Sequence, residues 1–391
     1  MADVLVRNAS QVLTMDGDGP ADLGLVEHGA VVIRDGRVAW VGPETSLPGG
    51  LGDLVDFDAG GRCVLPGFVD AHTHLAFAGD RAAEHRARLA GEPYRTGGIM
   101  TTVAATRAAS AGELVDATAR RARACLAGGT TTAEAKSGYG LDTATERRQL
   151  EVLAAVAGAT GLRIVPTFLG AHLAPDPGYV DLVVDEMLPA CAPLAVSCDA
   201  FCDEGALTVA ESRRVLEAGR ALGLVPRIHA EELAHTGGAR LAAELGCASA
   251  DHLVHATPGD AYALAAAGVV AVLLPATSFC LRSGYAPARV LLDHGVTVAV
   301  ATDCNPGTSY TTSMPFVVAL ACSALGLSAE EALWAATRGG AAALRLDDVG
   351  RIAPGASGDL VVLAGDHYAD LAYHPGMDRV AHVVAGGTVV R

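Results

Sequence analysis

The stretch DAHTH places His72 and His74 two residues apart in a chain of 391 residues. Side chains alternate across a β-strand, so residues two apart point the same way, and two neutral imidazoles on one side make half of a zinc or iron site. A hydrogen-bonded structural pair fits the same spacing. Further along, His229 in RIHAEE and Asp303 in ATDCNPGT each close a short apolar run. Three imidazoles and one carboxylate around one point would leave a position for water on Zn2+ or Fe2+, as hydrolytic metal sites require. Read alone, His229 also suits a buried core histidine and Asp303 the cap of a following helix.

Such ligands need a frame that brings distant segments together. From about residue 61 onward, apolar runs rich in Val, Ile and Thr alternate with longer amphipathic stretches of Ala, Leu, Arg and Glu, the pattern of βα units on a parallel sheet. The runs are CVLPGFVDAHTH, GTTTAEAKS, RIVPTFLGAH, AVSCDAFCDE, VPRIHAEE, CASADHLVH, VVAVLLPA and VTVAVATDCNPG. Their number predicts an α/β fold, a closed (β/α)8 barrel of the TIM type. Most end in residues able to do chemistry: His72 with His74, Lys136, His172, Asp203, His229, His252 with His255, and Asp303; only PATS is neutral. In a parallel barrel all strand C-termini meet at one face, where active sites sit.

The flanks read differently. Residues 1–60 hold short alternating segments such as GAVVIRDGRVAWVG broken by Gly and Asp turns, and residues 357–391 repeat the style in GDLVVLAGD and HVVAGGTVV. Both ends are expected to build one small β-domain, with the barrel of residues 61–356 inserted between them.

Composition narrows the class of function. Hydrophobic residues make up 51% and aromatics 4%, so the core must rest on Ala, Val and Leu. A net charge of −16 repels nucleic acid and anionic membranes, which leaves a small-molecule substrate as the expected partner. The longest apolar run, Ala261 to Leu274, stops at Pro275, short of the roughly 18 residues of a spanning helix. The N-terminal sequence lacks the pattern of a signal peptide, and the nine cysteines include no CxxC pair. A cytoplasmic protein with reduced, buried cysteines is the expectation.

The motifs PGFVDAHTHLAFAGDR, TTAEAKSGYGLD, TFLGAH, DAFCDEGA, IHAEE, ADHLVH, ATDCNPGT and ADLAYHPGMDRV span nearly the whole barrel and its exit. On them the chain resembles the amidohydrolase superfamily, metal hydrolases whose barrel is flanked by a composite β-domain. Within it the likeness is to members that open the imidazolone ring in histidine degradation. The resemblance implies one divalent or trivalent metal ion, zinc or iron, held by His72, His74, His229 and Asp303, and attack of a metal-activated water on the ring amide carbonyl. Asp303 would also accept a proton from that water. His252 would orient the nucleophile or polarise the carbonyl, with a core hydrogen bond as its plainer role. Glu232 would shuttle a proton or anchor the ring; its neighbour Glu231 is the alternative, or a solvated loop charge.

For the substrate's propanoate the resemblance offers Arg81, whose planar fork suits a carboxylate. It places Tyr139 and His172 on the substrate and Asn305, Gly307 and Thr308 on the product side. Tyr94 follows with one departure, since EPYRTGGIM is shorter than the family's pattern there. A homodimer is also implied. A related deaminase acting on a ring amidine would share the HxH pair, a later His, Glu and Asp, but lacks KSGYG and GAH together with CNPGT. Scaffolding relatives lose the metal ligands, whereas all four are present here.

All 28 basic side chains are arginine except one, Lys136. Relatives that bridge two metals with a carboxylated lysine carry it on the fourth strand, which here reads FCDEG, so a single metal is favoured. Lys136 is expected to be a buried cation that hydrogen-bonds strand carbonyls or active-site carboxylates and holds the SGYG turn.

Overall fold

The computed structural model describes residues 3–17 and 19–391. Eight strands form one parallel sheet in sequence order: Phe68–Asp70, Thr130–Lys136, Arg163–Ala171, Ser197–Cys202, Val225–Ala230, Ser249–His252, Val270–Leu273 and Val298–Val300. They are called the first to eighth barrel strands below. The first and eighth meet just beyond their ends, where Thr73 bridges Cys304, Asp303 N donates to His72 O at 3.0 Å and His74 N to Cys304 O at 3.0 Å. The ring is therefore closed by the very segments that carry the HxH pair and Asp303.

The barrel helices start where the sequence supplies caps. Ser110 with Glu113, Thr208 with Glu211 and Thr257 with Asp260 form reciprocal capping boxes at Ala111–Ala127, Val209–Ala221 and Pro258–Ala267. The main core is built chiefly of Ala, Val and Leu, as the low aromatic content requires. No described helix is long and apolar enough to cross a membrane.

Two further sheets lie outside the barrel strands, the first built from the N-terminal segment alone and the second from both ends of the chain. One holds Arg37–Pro43, Gly29–Arg34, Val4–Arg7 and Val55–Asp58; the other runs Thr388–Val389, Val380–Ala385, Leu360–Leu363, Cys63–Pro66, Gln11–Leu13, Leu25–Glu27. The run CVLPGFVDAHTH, expected to be one barrel strand, is thus split. Cys63–Pro66 pairs with Gln11–Leu13 and Leu360–Leu363, and only Phe68–Asp70 enters the barrel. Gly67 makes the break: a Cβ there would lie 2.0 Å from Thr131 Oγ1, so only glycine lets the chain pass this close to the second barrel strand.

Candidate active site

The strand ends bring most of the predicted residues to one place. His74, Arg81, Tyr94, Tyr139, His172, His229, Glu232, His252, Asp303, Asn305 and Thr308 line a single cavity, together with Ile99 and Phe201, which the sequence reading did not single out. His72 lies beneath the cavity floor and Gly307 behind its wall, packed against the Arg81 guanidinium. The free volume is small, about 30 Å3. A larger open groove of about 790 Å3 beside Arg289 and Glu331 contains none of these groups.

Two carboxylates behind the cavity fix the histidines. His72 Nδ1 lies 2.6 Å from Asp251 Oδ2, and His229 Nδ1 lies 3.2 Å from Asp199 Oδ1. A carboxylate accepts, so each Nδ1 carries the proton and each Nε2 presents a lone pair. Both Nε2 atoms are buried without a hydrogen-bond partner. Buried polar atoms are rarely orphaned, and two bare imidazole nitrogens facing one point suit a cation. Asp303 Oδ1 completes the arrangement at 3.5 Å from His72 Nε2 and from His74 Nε2. Thr277, from the "neutral" PATS run, holds the other oxygen with a 2.6 Å hydrogen bond to Oδ2. Asp303 caps no helix; it sits at φ 50° with its side chain turned into the barrel mouth.

Ligand atoms of His72, His74 and Asp303 lie within 4.8 Å of one another, and so do those of His72, His229 and His252. The donor set therefore fits a metal ion, and His252 stands beside it. His252 is set apart by its backbone, at φ 75°, and by Nε2 facing Glu232 Oε2 at 3.7 Å. Burial pushes the imidazolium forms of His72, His74 and His252 well down, so all three are neutral ligands or acceptors near pH 7. Burial, with the charges of Asp303 and Asp203, pushes the Glu232 carboxyl well up.

Adjacent glutamates separate by geometry. Glu231 turns away from the cavity and accepts from Thr236 N, Gly237 N and Ala239 N at 2.7, 3.0 and 3.1 Å. Glu232 reaches the cavity because Asp203 grips its loop, accepting from Glu232 N, Leu233 N and Ala234 N at 2.6 to 3.1 Å. Asp203, read from sequence as an end residue available for chemistry, is thus a loop anchor. Asn305 likewise spends its side chain inside its own turn, donating to Asp303 O and accepting from Gly307 N and Thr308 N.

Lys136 is fully buried, with Nζ 2.8 Å from Glu134 Oε1 and 2.7 Å from Asp199 Oδ2. The expected bonding to carboxylates is there, but the expected hold on the SGYG turn is not. Glu146 holds that turn, accepting from Gly138 N, Gly140 N and Leu141 N at 2.7 to 2.8 Å. The lysine Nζ is instead engaged by Glu134 on the second strand and Asp199 on the fourth. The turn in turn orients His172, whose Nδ1 lies 2.9 Å from Gly138 O, leaving Nε2 as an acceptor toward the cavity.

The model of the amidohydrolase family matches residues 63–390. Proteins named imidazolonepropionase from Salinispora arenicola and Streptomyces coelicolor are each 50% identical, covering 99% and 98% of this chain and 98% and 97% of those proteins. The one from Mycolicibacterium smegmatis is 47% identical over 100% of this chain and 98% of that protein. Among solved structures, a zinc-bound adenosine deaminase from Xanthomonas campestris superposes with TM-score 0.76 at 22% identity, covering 99% of this chain and 92% of that one. A triazine hydrolase variant gives TM-score 0.80 at 21% identity, covering 100% and 94%. These structural likenesses establish the shared barrel, while one barrel hosts many chemistries. The full-length identity decides among them: the chain belongs to the amidohydrolase family, and within it to the imidazolonepropionases.

Proposed function

We propose that this metal-dependent hydrolase opens the ring of 4-imidazolone-5-propanoate to N-formimidoyl-L-glutamate, a step of histidine degradation. The observation that carries the reading is that one cavity brings His74, His229 and Asp303 together with the Arg81 guanidinium and the buried Glu232 carboxyl. His72, His74, His229 and Asp303 would hold one metal ion, and this donor set suits zinc and iron about equally. When bound there, the ion supplies the charge that brings the pKa of water from about 16 toward 7.

The side chains do the rest. Arg81 and Tyr139 hold the propanoate end, Tyr94 closes over it, and His172 accepts from a ring N–H. Asp303 takes a proton from the attacking water as its oxygen bonds to the ring amide carbon. His252 faces the carbonyl oxygen, on which charge develops. The bond from that carbon to the ring nitrogen then breaks. Glu232, kept protonated by burial, delivers the proton that the nitrogen needs to leave as the formimidoyl group. Asn305, Gly307 and Thr308 shape the product side. The same reading extends to a cytoplasmic homodimer, supported by the resemblance and by the frequency of two-fold assemblies.

The test forms the imidazolone in place from urocanate with a urocanase. The protein is then added with and without prior chelation, while absorbance of the ring and the mass of N-formimidoylglutamate are followed. Metal-dependent appearance of that mass is the expected result; a fully metallated protein without turnover refutes the reading, and ammonia release from a ring amidine would replace it with deamination.

A further inference from the structure

Arg81 does not stand free in the cavity wall. Its Nε and Nη2 donate to Glu84 Oε2 and Oε1 at 2.8 and 2.7 Å. Glu84 Oε1 also accepts from Arg88 Nη1 at 2.8 Å, and Arg88 Nη2 donates to Gly307 O at 2.6 Å. A guanidinium has five N–H groups, so this buttress occupies one edge of the fork and leaves both Nη1 hydrogens and one on Nη2 for a ligand. The planar group is slotted between two glycines. A Cβ on Gly98 would lie 2.4 Å from Arg81 Nη2 and 2.3 Å from Glu84 Oε2, and one on Gly307 would lie 2.1 Å from Arg81 Nη1.

The slot has a particular vulnerability. Gly98 sits at φ −59° and ψ −21°, a conformation that alanine adopts freely. The atoms its Cβ would strike are the far ends of the Arg81 and Glu84 side chains, which can swing aside. A methyl group at 98 is therefore tolerated by the backbone and not by the fork. Gly97, one residue earlier, has nothing within 4 Å of its would-be Cβ.

We propose that Gly98 and the Glu84–Arg88 pair are positioning residues that aim the free edge of Arg81 at the substrate's propanoate and so set the preference for a carboxylate side chain. The inference rests on the reading of Arg81 as the propanoate anchor. Holding a planar donor pair in place before the ligand arrives removes the ordering cost from binding, and a small misplacement of a bidentate contact forfeits most of it.

The experiment compares wild type, Gly98→Ala, Gly97→Ala and Glu84→Gln, each metal-loaded and checked for an unchanged melting temperature. Two readouts are taken: KM and kcat on the imidazolone propanoate, and the ratio of inhibition constants for hydantoin-5-propanoate and its propanamide. Gly98→Ala is expected to raise KM about tenfold or more with kcat within about twofold, the loss of one hydrogen bond to a charged partner. Its preference for propanoate over propanamide should fall by a similar factor, and Glu84→Gln should move both readouts the same way. Gly97→Ala should match wild type. Wild-type KM and preference in Gly98→Ala overturn the proposal, as does a Gly97→Ala effect of equal size, which would make it a property of the loop. Absence of imidazolone turnover by wild type overturns the underlying functional reading as well, so the two failures are told apart.

Discussion

Lys136 Nζ lies 2.7 Å from Asp199 Oδ2, and the other oxygen of the same carboxylate sits 3.2 Å from His229 Nδ1. The only lysine of the chain therefore reaches His229, whose Nε2 is buried without a partner, through one intervening group. Burial alone would protonate Asp199, but His229 and Lys136 hold it well below the usual carboxylate range. Burial alone would also discharge the lysine; Asp199 and Glu134 reverse that and raise it. A compact ammonium meets Glu134 on the second strand and Asp199 on the fourth as a point charge.

Lys136→Met is expected to leave Glu134 and Asp199 buried without their cation and to cost ~3–5 kcal/mol of stability. Lys136→Arg should fold less stably and lose metal content together with kcat/KM, because a displaced Asp199 no longer fixes the tautomer of His229. Denaturant titration and metal analysis of the purified variants check this. Full metal content and wild-type kcat/KM in Lys136→Arg would show that the ammonium has no special part.

Metal removal should act on the fold as well as on turnover. A ligand that binds only the folded state at a hundred times its Kd adds about 2.7 kcal/mol of stability. Chelated protein is thus expected to melt several degrees lower, and zinc or iron to restore both melting temperature and activity. His72→Ala and His229→Ala should abolish the metal-dependent shift. Asp251→Asn should weaken it about 10- to 100-fold in affinity, since a neutral amide is a weaker acceptor for His72 Nδ1 and can turn its NH2 there instead.

How much of this was legible in the chain depended on whether a residue's meaning was local. His72, His74, His229, His252 and Asp303 announced themselves because each closes an apolar run, and parallel-barrel geometry then requires their convergence. Asp199 and Asp251 carried no such mark. Each lies within a strand, and its partner arrives from another strand, so only the assembled barrel shows why a carboxylate is buried there. Thr277 was read as neutral for the same reason, its partner Asp303 lying just past the end of the next strand. The split at Gly67 escaped notice because an apolar run looks alike whether one sheet or two receive it. Gly98 was invisible, since its importance lies in the two side chains that a methyl group would displace.

Proton competition gives a pH dependence with a definite sign. Burial pushes the Asp303 carboxyl up from its ordinary 3.8 to about 6, although Thr277 opposes the shift. In metal-free protein the folded chain thus binds this proton more tightly than the unfolded chain. The group's contribution to stability is complete below the unfolded value and is lost as pH rises through about 6. Metal requires the same oxygen bare, so metal affinity should weaken by about tenfold per unit of pH below that point. Competition titrations at several pH values, with Asp303→Asn melted in parallel as the stability control, read both trends; a metal affinity that stays flat between pH 5 and pH 7 would contradict them.

The neighbours Glu231 and Glu232 should fail in opposite ways. Glu231→Gln keeps one acceptor oxygen where two now receive three backbone N–H groups, and at least one buried donor is left poorly satisfied. A loss of ~1–3 kcal/mol of stability is expected. Turnover by the remaining folded enzyme should change little, because Glu231 faces away from the cavity. Glu232→Gln removes a carboxyl that burial already disfavours as an anion, so stability should hold or rise, while kcat is expected to fall by about 10^2- to 10^4-fold if the proposed proton delivery by Glu232 is lost. Melting curves and single-turnover rates on the same two preparations separate the cases. Their inversion, with Glu231→Gln dead but stable and Glu232→Gln active but labile, would reassign the proton transfer to Glu231.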